Sequence, residues 1–485
     1  MSLKKQTEHA IFSQNRGDCI NAVAQIMEMR ATGAAPLAYV TTYGCQQNVA
    51  DSEKIKGQLE EMGFSFTQDP DLADLILYNT CAIRENAESK VFGKIGELKH
   101  KKSKKPSLIT AMCGCMAEQD HVVERVKKSY PYLDLVFGTH IIHYLPQLLF
   151  TFLTNGKRIF ENGSEDEDKQ IIEDLPIKRD SGQVGAWLTI MYGCNHFCSY
   201  CIVPYVRGRE RSREPEAIEQ EFRQLVEAGY KEITLLGQNV NAYGKTLKNP
   251  ITFSDLLRRL DRVEGDYRIR FMSPHPKDAT PELFETMAQS EHIAHSLHLP
   301  LQAGNNRVLK AMRRNYTREQ FLELVEQARA HMPDITFTTD LIVGFPGETY
   351  EEFLETVDML QKVKFNSLFT FIYSPRAGTK AAVMEDHVPA QEKSRWFQEL
   401  WKEQEAIVAQ TSPAMVGTVQ RVLVQGYNDK KTMLMGKTEG NMNCEFIGDD
   451  SLIGTFVHVK ITESPNFALK GTVLNEPIND ITGGY

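Results

Sequence analysis

Three short apolar runs near the start of the chain each end in cysteine: Leu37-Ala38-Tyr39-Val40-Thr41-Thr42-Tyr43-Gly44-Cys45, Leu75-Ile76-Leu77-Tyr78-Asn79-Thr80-Cys81, and Leu108-Ile109-Thr110-Ala111-Met112-Cys113-Gly114-Cys115. Their brevity and lack of polar alternation predict parallel strands buried on both faces. Helical spacing fills the gaps, over Ser52–Met62 and Asn86–His100. Strand–helix alternation of this kind predicts a doubly wound α/β layer over residues 37–160. Residues 1–36 read as a leader with one helix at Asn21–Arg30.

Residues 161–183 turn polar and acidic around Glu165-Asp166-Glu167-Asp168 and read as a linker. Strand-like runs then return at Ala186–Met191, Glu232–Leu236, Arg268–Met272, Ser296–Leu299, Ile335–Val343 and Leu368–Tyr373. Helices are predicted at Glu214–Ala228, Phe253–Val263, Thr317–His331 and Tyr350–Lys362. Such βα units predict a barrel or part-barrel over residues 184–411, with functional side chains at the C-terminal strand ends. A charged helix from Pro389 to Gln410 carries Trp396 and Trp401 as packing residues. From residue 412 to 478 the pattern shortens to alternating strands at Gly417–Gly426, Thr432–Lys437, Gly454–Thr462 and Ala468–Val473, a small antiparallel β-barrel.

Composition narrows the class. A chain of 485 residues, 41% hydrophobic and 25% charged, fits a globular protein of about three domains. No apolar run reaches the ~18 residues of a membrane span, and the N-terminus lacks a signal-peptide core. A cytoplasmic location is expected, where thiols stay reduced and grouped cysteines are ligands sooner than disulfides. The net charge of −9 argues against generic nucleic-acid binding but leaves room for a local basic face. Lys99-His100-Lys101-Lys102-Ser103-Lys104-Lys105 reads as a solvated loop sooner than as a phosphate contact.

Chemistry concentrates at Gly193-Cys194-Asn195-His196-Phe197-Cys198-Ser199-Tyr200-Cys201, which follows the first strand of the part-barrel. Three thiolates this close are soft ligands, suited to an iron–sulfur cluster or to zinc. A cuboidal cluster or tetrahedral zinc wants four ligands, so this loop leaves one position open. Cys45, Cys81 and Cys115 form a second candidate triad, since ligands in doubly wound sheets sit at the carboxyl strand ends. Position alone does not choose between Cys113 and Cys115, and buried packing cysteines are the plainer alternative. Cys444, alone near the C-terminus, reads as packing.

The spacing Cys194-x3-Cys198-x2-Cys201, with Tyr200 before the last cysteine, resembles the radical S-adenosylmethionine enzymes. That resemblance implies a [4Fe–4S] cluster on Cys194, Cys198 and Cys201, with S-adenosyl-L-methionine chelating the fourth iron. Gly44-Cys45-Gln46-Gln47-Asn48, Asn79-Thr80-Cys81-Ala82-Ile83-Arg84-Glu85 and Gly114-Cys115-Met116-Ala117 are similar to the N-terminal motifs of the methylthiotransferase family. Leu236-Gly237-Gln238-Asn239-Val240-Asn241, His298-Leu299-Pro300-Leu301-Gln302-Ala303-Gly304, Tyr316-Thr317-Arg318 and Asp340-Leu341-Ile342-Val343-Gly344-Phe345-Pro346-Gly347-Glu348 match that family's central domain. The segment Gly436-Lys437-Thr438-Glu439-Gly440-Asn441 resembles its TRAM domain, an RNA-binding barrel.

The family resemblance selects Cys115 over Cys113 and implies that Cys45, Cys81 and Cys115 hold an auxiliary [4Fe–4S] cluster that supplies sulfur. It also implies that one S-adenosylmethionine gives the radical and a second gives the methyl group. Gln46 and the run Ile83–Val91 are closest to the branch that methylthiolates C2 of dimethylallyl-adenosine beside the tRNA anticodon. Gln47, where that branch usually has Met, and Glu118, within its usual Ala-Gln pair, are departures. The implied partners are tRNA carrying dimethylallyladenosine and a reducing electron donor, with no membrane and a monomeric chain.

Tyr200, Gly237, Gln238, Asn239 and Gln302 are the expected cofactor-binding residues. Turn geometry for Gly237 and a backbone-satisfying role for the Asn and Gln residues are the plainer readings. Arg207, Arg209, Arg211 and Arg213 read either as a tRNA-phosphate row or as a salt-bridged strand. Competing functions are modification of threonylcarbamoyl-adenosine in tRNA, of an aspartate on a ribosomal protein, or a non-catalytic iron–sulfur or zinc protein that binds RNA.

Overall fold

A computed structural model describes residue 11 and residues 13–31, 34–83, 85–162 and 171–474. Residues 1–10 of the leader, Arg84 and the acidic run Glu165–Asp168 lie outside the described residues. Two compact units emerge: residues up to 182 together with Met191–Asn195 and Cys201–Arg213, and Gln183–Ile190 together with His196–Tyr200 and the chain from Glu214 onward.

The first unit is built on a six-stranded, all-parallel sheet of β1 (Leu37–Thr42), β2 (Ser65–Phe66), β3 (Leu75–Thr80), β4 (Ile109–Gly114), β5 (Leu135–Phe137) and β6 (Ile159–Glu161), in the order β2-β1-β3-β4-β5-β6. Alternate residues of each strand feed two separate cores. Leu75, Leu77, Ile109, Ala111, Leu135 and Phe137 pack on one face with Val23, Met27, Ile55, Leu59 and Leu148. Ile76, Tyr78, Met112 and Val136 pack on the other with Val91, Ile95, Leu98 and Val126. Burial on both faces is why the strands read as continuous apolar runs. The layer is doubly wound, as expected.

Two helices begin earlier than the apolar spacing predicts. The leader helix runs Arg16–Arg30 behind an Asn15 cap. The next runs Gln46–Glu61, starting directly after Cys45, because its first turn buries polar rather than apolar side chains. The lysine run is no loop: it is the last turn of the helix Glu85–Lys104, followed by Lys105. Lys101 and Lys102 pair with Asp71 and Asp134, and Lys105 reaches Asp74 at 2.7 Å.

In the second unit β7 (Gly185–Thr189) starts the part-barrel, while Met191–Tyr192 (β8) and Arg211–Ser212 (β9) belong to the first unit and pair antiparallel there. The remaining barrel strands are β10 (Glu232–Leu236), β11 (Arg268–Phe271), β12 (Ser296–His298), β13 (Thr336–Val343) and β14 (Ser367–Ile372). They form two parallel three-stranded sheets, β11-β10-β7 and β12-β13-β14, with one parallel bridge, Ile269 to Ile293, leading from the first toward the second. Helices Phe253–Asp261, Arg318–His331 and Tyr350–Val363 each start at a reciprocal capping box, from Thr252, Thr317 and Thr349. Trp396, on the helix Ala390–Thr411, stacks on Phe353, and Trp401 meets Phe467 edge-on.

The C-terminal strands β15 (Val419–Tyr427), β16 (Leu434–Lys437), β17 (Asn443–Ile447), β18 (Phe456–Glu463) and β19 (Ala468–Val473) close into a barrel of order β15-β16-β17-β19-β18. Its pairings are antiparallel except one: β17 runs parallel to β19, which corrects the fully antiparallel expectation. The five-residue β17 is not among the strands that the sequence pattern predicts, and Cys444 on it is fully buried with Val422, Leu434, Phe446 and Val459.

Arg268, fully buried on β11, anchors this barrel. Its guanidinium reaches Glu439 at 2.7 Å, the carbonyls of Lys437 and Thr438 at 3.1 and 3.3 Å, and that of Arg421 at 3.2 Å. Arg270 adds bonds to the carbonyls of Glu439 (3.0 Å) and Thr438 (2.8 Å). Glu439 is one-third exposed and keeps Arg421 at 3.1 Å, so losing Arg268 strands chiefly the carbonyls it bonds, at ~1–3 kcal/mol. Arg268→Ala should therefore lower stability by about that amount, read as lost hydrogen-exchange protection over Leu434–Asn441, whereas Arg259→Ala, at an exposed pair with Glu216, should leave that protection intact.

Candidate active site

Cys45, Cys81 and Cys115 each stand just past the end of a strand, β1, β3 and β4 respectively, and the parallel order β1-β3-β4 makes them neighbours. Cys113 instead lies inside β4, packed in the core with Leu135 and Phe137. Cys45 and Cys81 share a hydrogen bond. As a thiol Cys45 also donates to Asn48 Oδ1, at 3.3 Å, while Cys81 Sγ accepts the Ile83 N–H at 3.4 Å. Cys115 is buried against Ala82, Ile202 and Val206.

Two glycines let the thiols approach. A Cβ on Gly44 would fall 2.6 Å from the Cβ of Cys81. Gly114 has φ of 95°, and a Cβ there would lie 2.4 Å from both Asn79 Oδ1 and the Thr80 carbonyl. These clashes are the physical content of the Gly-Cys pairs read in the sequence.

Buried amides fix the same corner. Asn48 Nδ2 donates to Asn79 Oδ1 at 3.0 Å and to the Thr80 carbonyl at 2.9 Å. Asn79 Nδ2 returns bonds to the Asn48 carbonyl at 2.8 Å and Ser52 Oγ at 3.0 Å. Gln47 Nε2 donates to Asp51 Oδ1 at 3.2 Å, and Asp51 Oδ2 accepts from Arg207 at 2.6 Å. Glu118 accepts from Thr139 Oγ1 at 3.0 Å and from the His140 N–H at 3.3 Å. Both sequence departures thus have local partners.

The electrostatics favour one ionised thiol. The Cys45 thiol is lowered to about 6, first by its bond with Cys81 and then, against burial, by Arg207 and by the N–H groups of Asn48 and Gln47 that open the helix. Cys81, as the donor of the pair, is pushed up, and burial pushes up Cys115. Three converging thiols with a cationic neighbour are a donor set that fits a soft metal cluster.

Of the arginines after the cluster loop, Arg207 and Arg213 are buried against Asp51 and Glu173, and Arg211 lies over Tyr192. Arg207 ends the short helix Val203–Arg207 and Arg211 sits in β9, so no single strand carries the row. Two of its four side chains are spoken for by carboxylates inside the fold, which removes the phosphate-row reading for them.

Within the second unit, Cys198 is buried and its Sγ accepts from Arg314 at 3.4 Å. Arg314 also donates to the Pro300 carbonyl (3.0 Å) and to Tyr316 Oη (3.0 Å). Ser199 is held by its N–H on the Met312 carbonyl and its hydroxyl on that of Ala311. Gly237, Gln238 and Asn239 follow β10, and Gln302 follows β12, so all stand at C-terminal strand ends with Tyr200 in the cluster loop of the same unit. Gln302 has φ of 70° and bridges to Leu341 through its backbone.

Asn239 joins a polar group that sequence reading missed. Its Nδ2 lies 3.1 Å from both His196 Nε2 and Asp278 Oδ2, His196 pairs with Asp278 at 2.9 Å, and Lys245 reaches Asp278 at 2.6 Å. Burial alone would raise Asp278, but bonds from His196, Lys245 and Asn239 hold it well below the usual carboxylate range. His275 stacks on His196 at 3.7 Å between ring centroids. Burial, helped by nearby Arg314, keeps His275 neutral. Its Nδ1 accepts the Lys277 N–H at 3.2 Å, which leaves the proton on Nε2. That buried donor finds no hydrogen-bond partner among the described residues and is available to a ligand.

The ligand atoms of His196, His275 and Asp278 lie within 4.8 Å of one another, compact enough for a metal ion. Lys245, already neutralising Asp278, opposes a cation there. The signal for these residues was Ser273-Pro274-His275-Pro276-Lys277-Asp278, polar side chains placed directly after β11.

Comparison with known proteins places the chain among radical enzymes. Residues 188–360 match the radical SAM superfamily, residues 37–138 match "Uncharacterized protein family UPF0004", and residues 413–474 match the TRAM domain. A tRNA-2-methylthio-N(6)-dimethylallyladenosine synthase from Carboxydothermus hydrogenoformans is 49% identical over 437 residues, covering 90% of this chain and 99% of the relative. A protein of the same name from Clostridioides difficile is 47% identical over 446 residues, covering 92% and 93%. Among solved structures, the radical S-adenosylmethionine methyltransferase TsrM from Kitasatospora setae, with a SAM analogue bound, superposes with a TM-score of 0.52 at 14% identity, over 72% of this chain and 75% of that one. This last likeness concerns the fold.

Gly114→Ala should lower the stability of the first unit by about 2–4 kcal/mol, since strain and a backbone clash add. Gly156→Ala, also at positive φ (63°) but with open space around its Cβ, should cost ~1 kcal/mol. Urea unfolding of the two variants measures the difference.

Proposed function

Since the chain belongs to the tRNA-2-methylthio-N(6)-dimethylallyladenosine synthase family of the radical SAM superfamily, we propose that it transfers a methylthio group to C2 of N6-(dimethylallyl)adenosine beside the anticodon of tRNA. The observation that carries the reading is the meeting of Cys45, Cys81 and Cys115 at one sheet edge, in a chain that also carries the Cys194-x3-Cys198-x2-Cys201 loop.

On this reading Cys194, Cys198 and Cys201 hold a [4Fe–4S] cluster that leaves one iron to S-adenosyl-L-methionine. Cys45, Cys81 and Cys115 hold an auxiliary [4Fe–4S] cluster. When bound, these groups supply the one-electron chemistry and the sulfur needed at an adenine C2–H bond that no side-chain base can deprotonate. The chain's residues hold and orient. Arg314 fixes Cys198 through its sulfur. The neutral His275 offers its Nε2 proton to a ligand polar atom. Tyr200, Gly237, Gln238, Asn239 and Gln302, at C-terminal strand ends or in the loop, orient S-adenosylmethionine.

We assign residues 37–160 to the auxiliary-cluster domain, 184–411 to the radical domain and 412–478 to tRNA binding, with 161–183 as linker and 1–36 as leader. Lys430, Lys431 and Lys460 are the barrel cations left for tRNA phosphate, because Lys437 is committed to the hairpin docked on Arg268 and Arg270. No helix among the described residues is long and apolar enough to cross a membrane. We place the chain's action in the cytoplasm on the strength of the tRNA substrate that its relatives' names give, with a reducing agent as electron donor.

Expression in a strain lacking its own methylthiotransferase, followed by nucleoside mass spectrometry of tRNA, should show the 2-methylthio derivative of dimethylallyl-adenosine. Threonylcarbamoyl-adenosine should stay unmodified. In anaerobic assays Cys81→Ala should retain reductive cleavage of S-adenosylmethionine and lose the methylthio product by more than a hundredfold. Full product from that variant would overturn the assignment of the second triad.

A further inference from the structure

Arg207 is a buried charge that cluster holding alone does not require. Its side chain is 5% exposed, and its partner Asp51 is 4% exposed. The guanidinium bonds Asp51 Oδ2 at 2.6 Å and Asn48 Oδ1 at 3.4 Å, and Val206, the residue before it, packs on Cys115. Asn48 Oδ1 is the same atom that accepts from the Cys45 thiol. The guanidinium therefore lies close to both cysteines, with Asn48 Oδ1 3.3 Å from Cys45 Sγ on one side and Cys115 against the adjoining Val206 on the other. Asp51 is held in turn by Gln47.

A buried ion pair is a poor device for stability alone, since apolar side chains of equal volume would hold these elements as well or better. An arginine guanidinium stays protonated in proteins, and Asp51 at 2.6 Å compensates its burial. A positive charge held close to an iron–sulfur centre stabilises its more negative, reduced form.

We infer that Arg207, oriented by Asp51 and Gln47, is a positioning residue that raises the reduction potential of the centre held by Cys45, Cys81 and Cys115. The inference rests on the proposed ligand role of those three cysteines. It makes Gln47, the departure from the branch's usual Met, part of the tuning: its amide takes up one carboxylate oxygen of Asp51 and leaves the other for the guanidinium.

The test uses the full chain with Cys194, Cys198 and Cys201 all replaced by Ala, reconstituted anaerobically with iron and sulfide. Its readouts are iron content and an electron paramagnetic resonance titration with dithionite, a one-electron reductant. The parent should load about four irons, as a cuboidal cluster requires. Arg207→Met with Asp51→Asn removes both charges together. It should load the same iron but shift the reduction equilibrium at least tenfold toward the oxidised form, about 59 mV for one electron. Arg207→Lys, which keeps the charge, should restore most of that shift.

An unchanged midpoint in the double variant overturns the role of Arg207 and leaves the cluster assignment standing. Failure of the parent to bind iron overturns the assignment itself. Should the double variant not load, Arg207→Gln decides: a lowered midpoint upholds the inference and an unchanged one overturns it.

Discussion

The hydrogen-bonded pair of Asn48 and Asn79 is the interaction on which the sulfur side of the molecule depends. Both amides are fully buried, and each side chain bonds the other's residue as well as a third group. The pair ties the first turn of the helix Gln46–Glu61 to the end of β3, and so sets Cys45 against Cys81. Because buried amides left without partners are costly, neither residue can be exchanged singly for an apolar one without leaving the other stranded. The glycine at position 114 completes the corner by admitting the Asn79 oxygen and the Thr80 carbonyl where a side chain would stand. The cysteines thus occupy positions decided by groups that bear no ligand themselves.

Much of this was legible because burial and chemistry leave different marks on a sequence. The strands of the first unit were readable since both faces are apolar, and the cysteines stood out since each followed such a run. The helix beginning at Gln46 was read several residues late for the opposite reason. Its inward face is Gln47, Asn48, Asp51 and Ser52, a polar surface that mimics an exposed one in a single sequence. The same blindness hid Arg207: arginines on alternate positions suggested a surface row, and nothing local announced a buried carboxylate supplied from far away in the chain. His275 and Asp278 carried a weak mark, a cluster of polar residues after a strand. The parallel pairing of β17 with β19 carried none, because register between distant strands is set by closure of the barrel.

The radical side shows a different economy. There the cysteine's environment comes from backbone as much as from side chains: the cluster loop is pinned at Ser199 to the carbonyls of Ala311 and Met312, and Arg314 spans Cys198 and Pro300. Carbonyl anchors position the loop, and the side chain bonded to the Cys198 sulfur is the buried guanidinium of Arg314. Each group of cysteines thus has a buried arginine close by, Arg207 near Cys45 and Arg314 at Cys198, whereas the nearby His275 is kept neutral.

The bonds of Arg268 and Arg270 to the hairpin between β16 and β17 bear on how such chains change over evolutionary time. The C-terminal barrel is fastened mainly through main-chain carbonyls, which any side chain in the hairpin would present alike, and through the single carboxylate of Glu439. Sequence drift across most of the barrel surface leaves that attachment untouched, so the residues there are free to diversify. Two arginines on one strand and one glutamate in a distant turn, by contrast, must be inherited together. A barrel recombined from another lineage would keep the carbonyl bonds of this seat but lose the carboxylate one unless it arrived with that glutamate.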